Sequence, residues 1–154
     1  MTTLTGLTSA LVSQVDAVSG VDNVFGYTRF VADWTNYLNL FKRSSGGDIN
    51  GWWVTLANPS ITTAADVFGA NEWTYHFLIT GIMGVKDSAN TEATILGQAE
   101  AILATLHTET TLGVSGVTVG DLFPQLRIVE HRSFGSVLAH YCEITLDVKV
   151  AVSF

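Results

Sequence analysis

Cysteine, proline and charge are all scarce in this 154-residue sequence. The single cysteine, Cys142, excludes a disulfide within the chain and favours a reducing, intracellular environment. Charged residues make up 14% of the sequence, against about 25% in an ordinary soluble chain. Permanent protein partners tend to bury surfaces that are poor in charge and partly apolar, so assembly is the first functional expectation.

Long hydrophobic runs and an export signal are also missing. No apolar run approaches the ~20 residues that span a bilayer. The N-terminal stretch MTTLTGLTSALVSQV lacks the basic region of a secretory signal. The sequence therefore predicts a soluble protein with no membrane partner, and its length predicts a single domain over residues 1–154.

Basic residues are few, and the net charge is −7. The seven are Arg29, Lys42, Arg43, Lys86, Arg127, Arg132 and Lys149. Only Lys42 and Arg43 are adjacent, and the others are scattered along the chain. Sequence-independent nucleic-acid binding needs clustered Lys and Arg that displace phosphate counterions. The charge balance thus disfavours ordinary DNA or RNA binding, while it would let DNA slide past without adhering.

Signatures of cofactor chemistry are absent from the sequence. Gly113, Gly116 and Gly120 have the wrong spacing for a phosphate-binding loop, and no Lys-Ser or Lys-Thr follows them. No GxGxxG motif admits a dinucleotide. We therefore expect no cofactor.

The residues that could carry metal or hydrolytic chemistry also favour simpler interpretations. His131, His140 and Cys142 do not supply the four ligands of a closed zinc site, so we expect a core or interface histidine beside a buried thiol. Glu143 and Asp147 point the same way along a strand, but their backbones lie about 13 Å apart, beyond the ~5–9.5 Å between glycosidase carboxyl groups. We expect neither a metal site nor an enzyme.

Hydrophobic periodicity in the first half of the chain predicts one helix and two strands. Leu4, Leu7, Leu11, Val15 and Val18 form an apolar stripe on a helix over residues 4–18, which Gly20 ends. β-like stretches follow at Val24–Trp34 and Gly51–Ala57, with the exposed loop RSSGGDING between them. Asn58-Pro59 is expected to end the second strand.

The second half predicts a strand, the main helix and a long hairpin. Residues 72–84 alternate as a strand whose aromatic side faces the core. The main helix carries a larger apolar stripe, with Ser88 and Asn90 as candidate N-caps: Ile95, Leu96, Ala99, Ile102, Leu103 and Leu106. Two strands flank Ser133-Phe134-Gly135, from Gln125 to Arg132 and from Ser136 to the C-terminus. The predicted fold class is α+β, a mostly antiparallel sheet packed by one main helix plus an N-terminal helix.

Two adjacent tryptophans follow the glycine-rich loop. Neighbouring residues of a strand face opposite sides, so one of Trp52 and Trp53 should enter the core and the other should lie at the surface. We assign Trp52 to a protein interface as its aromatic anchor.

The order of these elements resembles a known family. An N-terminal amphipathic helix and a sheet are followed by WTYHFLITGIMG, the helix SANTEATILGQAEAILATL, LRIVEHR and the closing strand SVLAHYCEITLDVKVAV. Over most of the chain this is similar to the tail terminator, or tail completion, proteins of long-tailed phages. The likeness rests on architecture and pattern, and it contains no catalytic motif.

The resemblance implies a structural protein of the virion neck, assembled in the host cytoplasm. Six copies would form a ring on the last ring of the tail tube protein, stop tube growth and join the head-tail connector, with DNA passing through the hole. We expect Glu143 and Asp147 to face that lumen. Partner contacts are expected from the loops Arg43–Asn50 and Leu112–Phe123, with these candidates beside Trp52: Arg43, Asp48, Asn50, Val114, Val117 and Asp121.

Two alternatives remain open from the sequence. A tail-tube or head-tail connector subunit would share the sheet-plus-helix plan, although a tube subunit polymerises into long cylinders. A small ligand-binding or hydrolytic α+β protein would use the aromatic strand face and His76, and it would need an enclosed pocket with convergent polar groups.

Overall fold

The computed structural model describes residues 4–29, 33–43, 48–65, 71–109, 111–117 and 123–152. Within these residues, three α-helices and five strands follow one another in the order α1 Leu4–Asp16, β1 Val24–Phe25, α2 Trp34–Asn39, β2 Asn50–Ala65, β3 Asn71–Gly84, α3 Thr91–Thr108, β4 Gln125–Phe134 and β5 Val137–Val152, with a short 3-10 turn at Asp87–Ala89 before α3. The strands form one sheet in the order β1-β2-β3-β5-β4. Only the two-residue β1 pairs in parallel, so the predicted α+β class with a mostly antiparallel sheet is confirmed.

Helix α1 forms where the apolar stripe predicts it. Leu7, Leu11 and Val15 are fully buried, because spacings of four residues place them on one face of the helix. The helix ends at Asp16, two residues before the predicted end. Gly20 then turns the chain with a φ of 84°, a conformation that glycine adopts without steric cost.

The strand predicted at Val24–Trp34 is wrong for most of its length. Of the described residues in this stretch, only Val24–Phe25 form a strand, and Trp34 begins helix α2. The N-cap of α2 is Asp33, whose Oδ2 accepts a hydrogen bond from the Asn36 N–H at 3.1 Å. This local capping favours a helix start where the sequence pattern predicted a strand.

Strand β2 passes through Asn58-Pro59 and ends at Ala65, so the predicted end at Ala57 is also wrong. Its register against β3 shifts between Leu56 and Ile61. The proline lies within this interruption of the ladder, where its missing N–H removes no hydrogen bond between β2 and β3.

The main core lies between the sheet and the helices α1 and α3. It contains the inward side of β3, with Tyr75, Phe77 and Ile79, as the alternation predicts. The inward side of β5 is buried at Cys142 and four further positions, Ile144, Leu146, Val148 and Val150, whereas Leu138 near the hairpin turn remains 48% exposed. Helix α3 contributes Ile95, Ala99, Ile102 and Leu106, so its predicted role in the core is confirmed.

Trp52 is a core residue with no exposed surface, so its assignment to an interface is wrong. Its strand position turns it toward α3, and the half-buried Trp53 lies on the other face. Trp53 there joins a second, smaller apolar cluster around Phe41, Ile82 and Tyr141. Tyr37 of α2 and Phe134 at the end of β4 pack on this cluster, with ring centroids 6.2 Å apart.

The predicted closing hairpin is confirmed. Strands β4 and β5 are antiparallel, and Phe134 pairs with Val137 across a two-residue turn. Gly135 in this turn has a φ of 64°, which favours glycine. Within the described residues, no helix combines the length and the apolar character needed to cross a membrane.

Two glycines give a matched test of this packing. A Cβ on Gly81, at the centre of β3, would lie 2.6 Å from the Trp52 ring, whereas a Cβ on Gly97 in α3 meets nothing within 4 Å. We expect Gly81→Ala to lower the free energy of unfolding by about 1–3 kcal/mol. Gly97→Ala should raise it by about 0.5–1 kcal/mol. Urea denaturation followed by tryptophan fluorescence measures both values, and equal stability of the two variants would contradict the packing of Trp52 on Gly81.

Candidate functional site

The sheet face that points away from helices α1 and α3 carries a strip of polar side chains on one of its halves. We define the strip by residues of β2, β3 and β5 whose side chains are exposed or half-buried: Thr62, Thr74, His76, Glu143, Thr145, Asp147 and Lys149. Helices α1 and α3 lie on the opposite face, and the smaller apolar cluster occupies the other half of this face. Glu143 and Asp147 therefore share an accessible sheet surface, on the same side of β5 as the alternation predicts.

A hydroxyl, an imidazole and a carboxylate follow one another within the strip. Thr62 Oγ1 lies 3.0 Å from His76 Nε2, and His76 Nδ1 lies 2.6 Å from Asp147 Oδ1. This is the order of nucleophile, base and orienting carboxylate in hydrolases. Sequence analysis missed the arrangement because Asp147 is 71 residues from His76 and only strand pairing brings them together.

Charges in the strip are largely matched. Lys149 Nζ lies 3.6 Å from Glu72 Oε1, and Asp147 contacts His76. Glu143 accepts a hydrogen bond from the Tyr141 hydroxyl. Burial and this neighbouring carboxylate raise the pKa of Tyr141 to about 12, so the phenol stays protonated at neutral pH. Arg132 lies over the Tyr141 ring at 3.5 Å and pairs with Glu130.

Three of the predicted interface residues, Arg43, Asp48 and Asn50, meet at a cavity of about 350 Å³. The cavity lies where the ends of β2 and β3 approach the start of α3. Asp48 Oδ1 lies 3.6 Å from Lys86 Nζ, with both side chains exposed. Asn50, the first residue of β2, is only 1% exposed, so its assignment to an external interface is wrong.

A hydrogen-bond network that runs from the surface into the core adjoins this cavity. The carbonyl oxygen of Gly20 accepts hydrogen bonds from Arg43 Nη2 at 2.6 Å, Asn50 Nδ2 at 3.0 Å and Gln98 Nε2 at 2.8 Å. Gln98 Oε1 accepts a fourth bond, at 3.2 Å, from Trp52 Nε1. The network explains why Gln98, a polar residue that the apolar stripe of α3 does not include, is buried.

The second predicted interface loop is partly folded onto the core. Val117 is only 7% exposed and forms a bridge with Val150, so its assignment to an external interface is wrong. Val114 is half-buried against the main core. Asp121 lies outside the described residues, and Phe123 is 60% exposed.

The pairing of a core histidine with a buried thiol is confirmed. His140 is 5% exposed, and its Nε2 lies 2.9 Å from Thr91 Oγ1. Burial raises the pKa of Cys142 to about 12, which leaves the thiol protonated and a poor nucleophile. The His131 ring lies beside that of His140 in a tilted arrangement, with ring centroids 4.8 Å apart. Across the described ranges, no three His, Cys, Asp or Glu side chains are grouped closely enough to hold a metal ion.

Strand β4 gives the sheet a free edge with apolar side chains. It pairs only with β5 in the described part of the chain, and most of its side chains are exposed. Three exposed apolar residues lie on its α3 side, and we call them the edge patch: Leu126, Val129 and Leu138. Monomeric proteins usually shield or charge such an edge, because it can pair with another chain.

No protein-family model matches the chain, and no curated protein sequence matches it.

The buried His140 predicts a pH dependence of stability. Burial, followed by the neighbouring His131, lowers the pKa of His140 below its ordinary value of about 6.5. The unfolded chain therefore takes up this proton at a higher pH than the folded chain, and stability is lost as the pH falls below about 6.5.

The measurement is urea denaturation between neutral and mildly acidic pH, with His140→Gln as the comparison. We expect a smaller loss of stability on acidification in the variant, because glutamine can keep the contact with Thr91 without titrating. Identical pH dependence of the two proteins would contradict the assignment to His140.

Proposed function

We propose that this chain is a structural subunit of a protein ring, and that the ring is of the tail-terminator kind: it caps a tail tube, stops its growth and joins the head connector. The proposal rests on the free edge of β4 with its apolar edge patch. It also draws on the resemblance in element order and on the low content of charged residues.

A ring needs two complementary surfaces on each subunit. The first is the β4 edge. The second is the outer edge of β2, because β1 pairs only with Trp52 and Trp53 and no other strand pairs with that side of β2 in the described residues. The two edges lie at opposite ends of the sheet order. A head-to-tail contact between unlike edges generates a closed ring when the rotation closes.

Such a ring would give the two sheet faces different surroundings. In our proposal the sheets continue from one subunit to the next, the helices α1 and α3 lie outside and the polar strip faces the hole. The strip offers Glu143 and Asp147 to passing DNA, and backbone phosphates are repelled by carboxylates repeated around a ring. The net charge of −7 per subunit acts in the same direction.

A tube or connector subunit is the nearest alternative, since both use the same plan. The length of the assembly separates these functions. Electron microscopy of the purified protein at high concentration, with mass photometry, should show single closed rings. Long self-assembled cylinders would instead identify a tube subunit, and a monomer at all concentrations would contradict the ring.

A substitution on the free edge tests the ring contact. We expect Val129→Lys to abolish rings and leave a folded monomer, because a lysine on the edge opposes strand pairing and removes an apolar contact. Leu4→Lys is the matched control, since Leu4 is 36% exposed but lies in helix α1, outside the sheet. Mass photometry gives the subunit number, and circular dichroism checks folding. Rings of Val129→Lys equal to those of Leu4→Lys would contradict the role of the β4 edge.

Reversing the charge of the strip tests its place at the hole. The double variant Glu143→Lys, Asp147→Lys should still form rings, but the rings should retain DNA in a gel-shift assay that the unchanged protein does not shift. The control is Asp16→Lys, Glu100→Lys, which makes the same change of charge at exposed helix positions. Equal DNA retention by both double variants would show a general charge effect and contradict the placement of the strip.

Ester hydrolysis is a second candidate function, favoured by the contacts among Thr62, His76 and Asp147. The neighbouring cavity of about 270 Å³ is lined by Asp147 and Lys149 but not by Thr62 or His76, so the hydroxyl lacks the enclosed pocket typical of hydrolases. Hydrolysis of p-nitrophenyl acetate tests this function. Activity that is lost in both Thr62→Ala and His76→Asn would support it, and equal background rates in all three proteins would exclude it for this ester.

A further inference from the structure

The cavity beside the loop between Lys42 and Asn50 has the features of a binding site. Its volume of about 350 Å³ falls within the range of small-molecule pockets. The ends of β2 and β3 form one wall, through Asn50 and Met83. The start of α3 forms another wall, through Thr91 and Thr94.

Positive charge is concentrated at this cavity. Three of the seven Lys and Arg residues of the chain line it, namely Lys42, Arg43 and Lys86. Two carboxylates offset part of this charge: Asp48, in the lining, lies 3.6 Å from Lys86, and Asp22 lies 3.6 Å from Arg43. This local excess of positive charge occurs in a protein whose net charge is −7, so it favours an anionic ligand at one place.

The N-terminus of α3 adds hydrogen-bond donors. Its N-cap residue, Asn90, has a left-handed backbone and makes no side-chain hydrogen bond to the first turn. The first N–H groups of a helix have no acceptor within the helix, and the helix dipole favours negative charge there. The N-terminus of α3 and the basic side chains therefore both favour an anion.

The buried side-chain oxygen of Asn50 indicates which anions fit this cavity. The Nδ2 group of Asn50 donates to the Gly20 carbonyl, but its Oδ1 has no hydrogen-bond partner among the described residues. Asn50 is only 1% exposed. A buried oxygen that lacks a hydrogen-bond partner is unfavourable. A ligand that carries a hydroxyl proton could satisfy it. Inorganic hydrogen phosphate carries such a proton near neutral pH. Phosphomonoesters, whose second pKa is about 6, have mostly lost theirs, and sulfate and carboxylates carry none.

We propose that this cavity binds inorganic phosphate. Lys42, Arg43 and Lys86 supply the positive charge, the start of α3 supplies N–H donors, and Asn50 Oδ1 accepts a hydrogen bond from the phosphate hydroxyl. None of these residues belongs to the edge patch or the polar strip, so the proposal does not depend on ring formation.

The test uses the full chain and inorganic phosphate as the probe, followed by two-dimensional amide NMR. Phosphate should shift the signals of Thr91, Thr94 and Lys86 saturably, and sulfate at equal ionic strength should bind more weakly. We expect Lys42→Gln and Lys86→Gln each to weaken phosphate binding about threefold to fivefold, since each removes one partly exposed charge.

Lys149→Gln is the matched control, because it removes the same charge from the polar strip. It should leave phosphate affinity unchanged. Equal weakening by all three variants would show a general charge effect and overturn the proposal, as would non-saturating shifts or shifts that are spread over the whole surface. Binding of sulfate as tight as that of phosphate would overturn the role of Asn50.

Discussion

The Gly20 carbonyl oxygen accepts hydrogen bonds from three side chains that come from different parts of the sequence. Gln98 reaches it from α3, Asn50 from the start of β2 and Arg43 from the loop before it. Gln98 also accepts the indole N–H of Trp52, the largest fully buried side chain of the core. The positions of α1, α3 and β2 are thereby tied together at one point, because a buried polar group that loses its partner is costly.

The hydrogen bonds to the Gly20 carbonyl affect both the polar strip and the cavity. They hold α3 against one face of the sheet, which leaves the polar strip on the other face accessible. They also fix Arg43 and Asn50 at the cavity where Lys42 and Lys86 converge. The hydrogen bonds that secure the fold thus position the residues of the proposed phosphate site, while the free edge of β4 lies at the far end of the sheet.

The long periodic elements were predictable, and the short or interrupted ones were not. The alternation of β3 and the stripe of α3 identified their buried sides, because each follows the period of its structure over many residues. Helix α2 was missed because its six residues carry too little periodicity and depend on the cap at Asp33. The passage of β2 through Pro59 was missed because a register shift between Leu56 and Ile61 is a property of strand pairing.

The sequence by itself determined the fold class, the buried faces of α1, α3, β3 and β5, the closing hairpin and the common side of Glu143 and Asp147. These follow from local periodicity and turn chemistry, which act between residues close in sequence. Only the tertiary structure decided that Trp52 and Asn50 are buried, that Thr62, His76 and Asp147 touch, and that Lys86 shares one cavity with Lys42 and Arg43. Those contacts join residues that are distant in sequence, so they depend on strand order and helix packing, which no local pattern encodes.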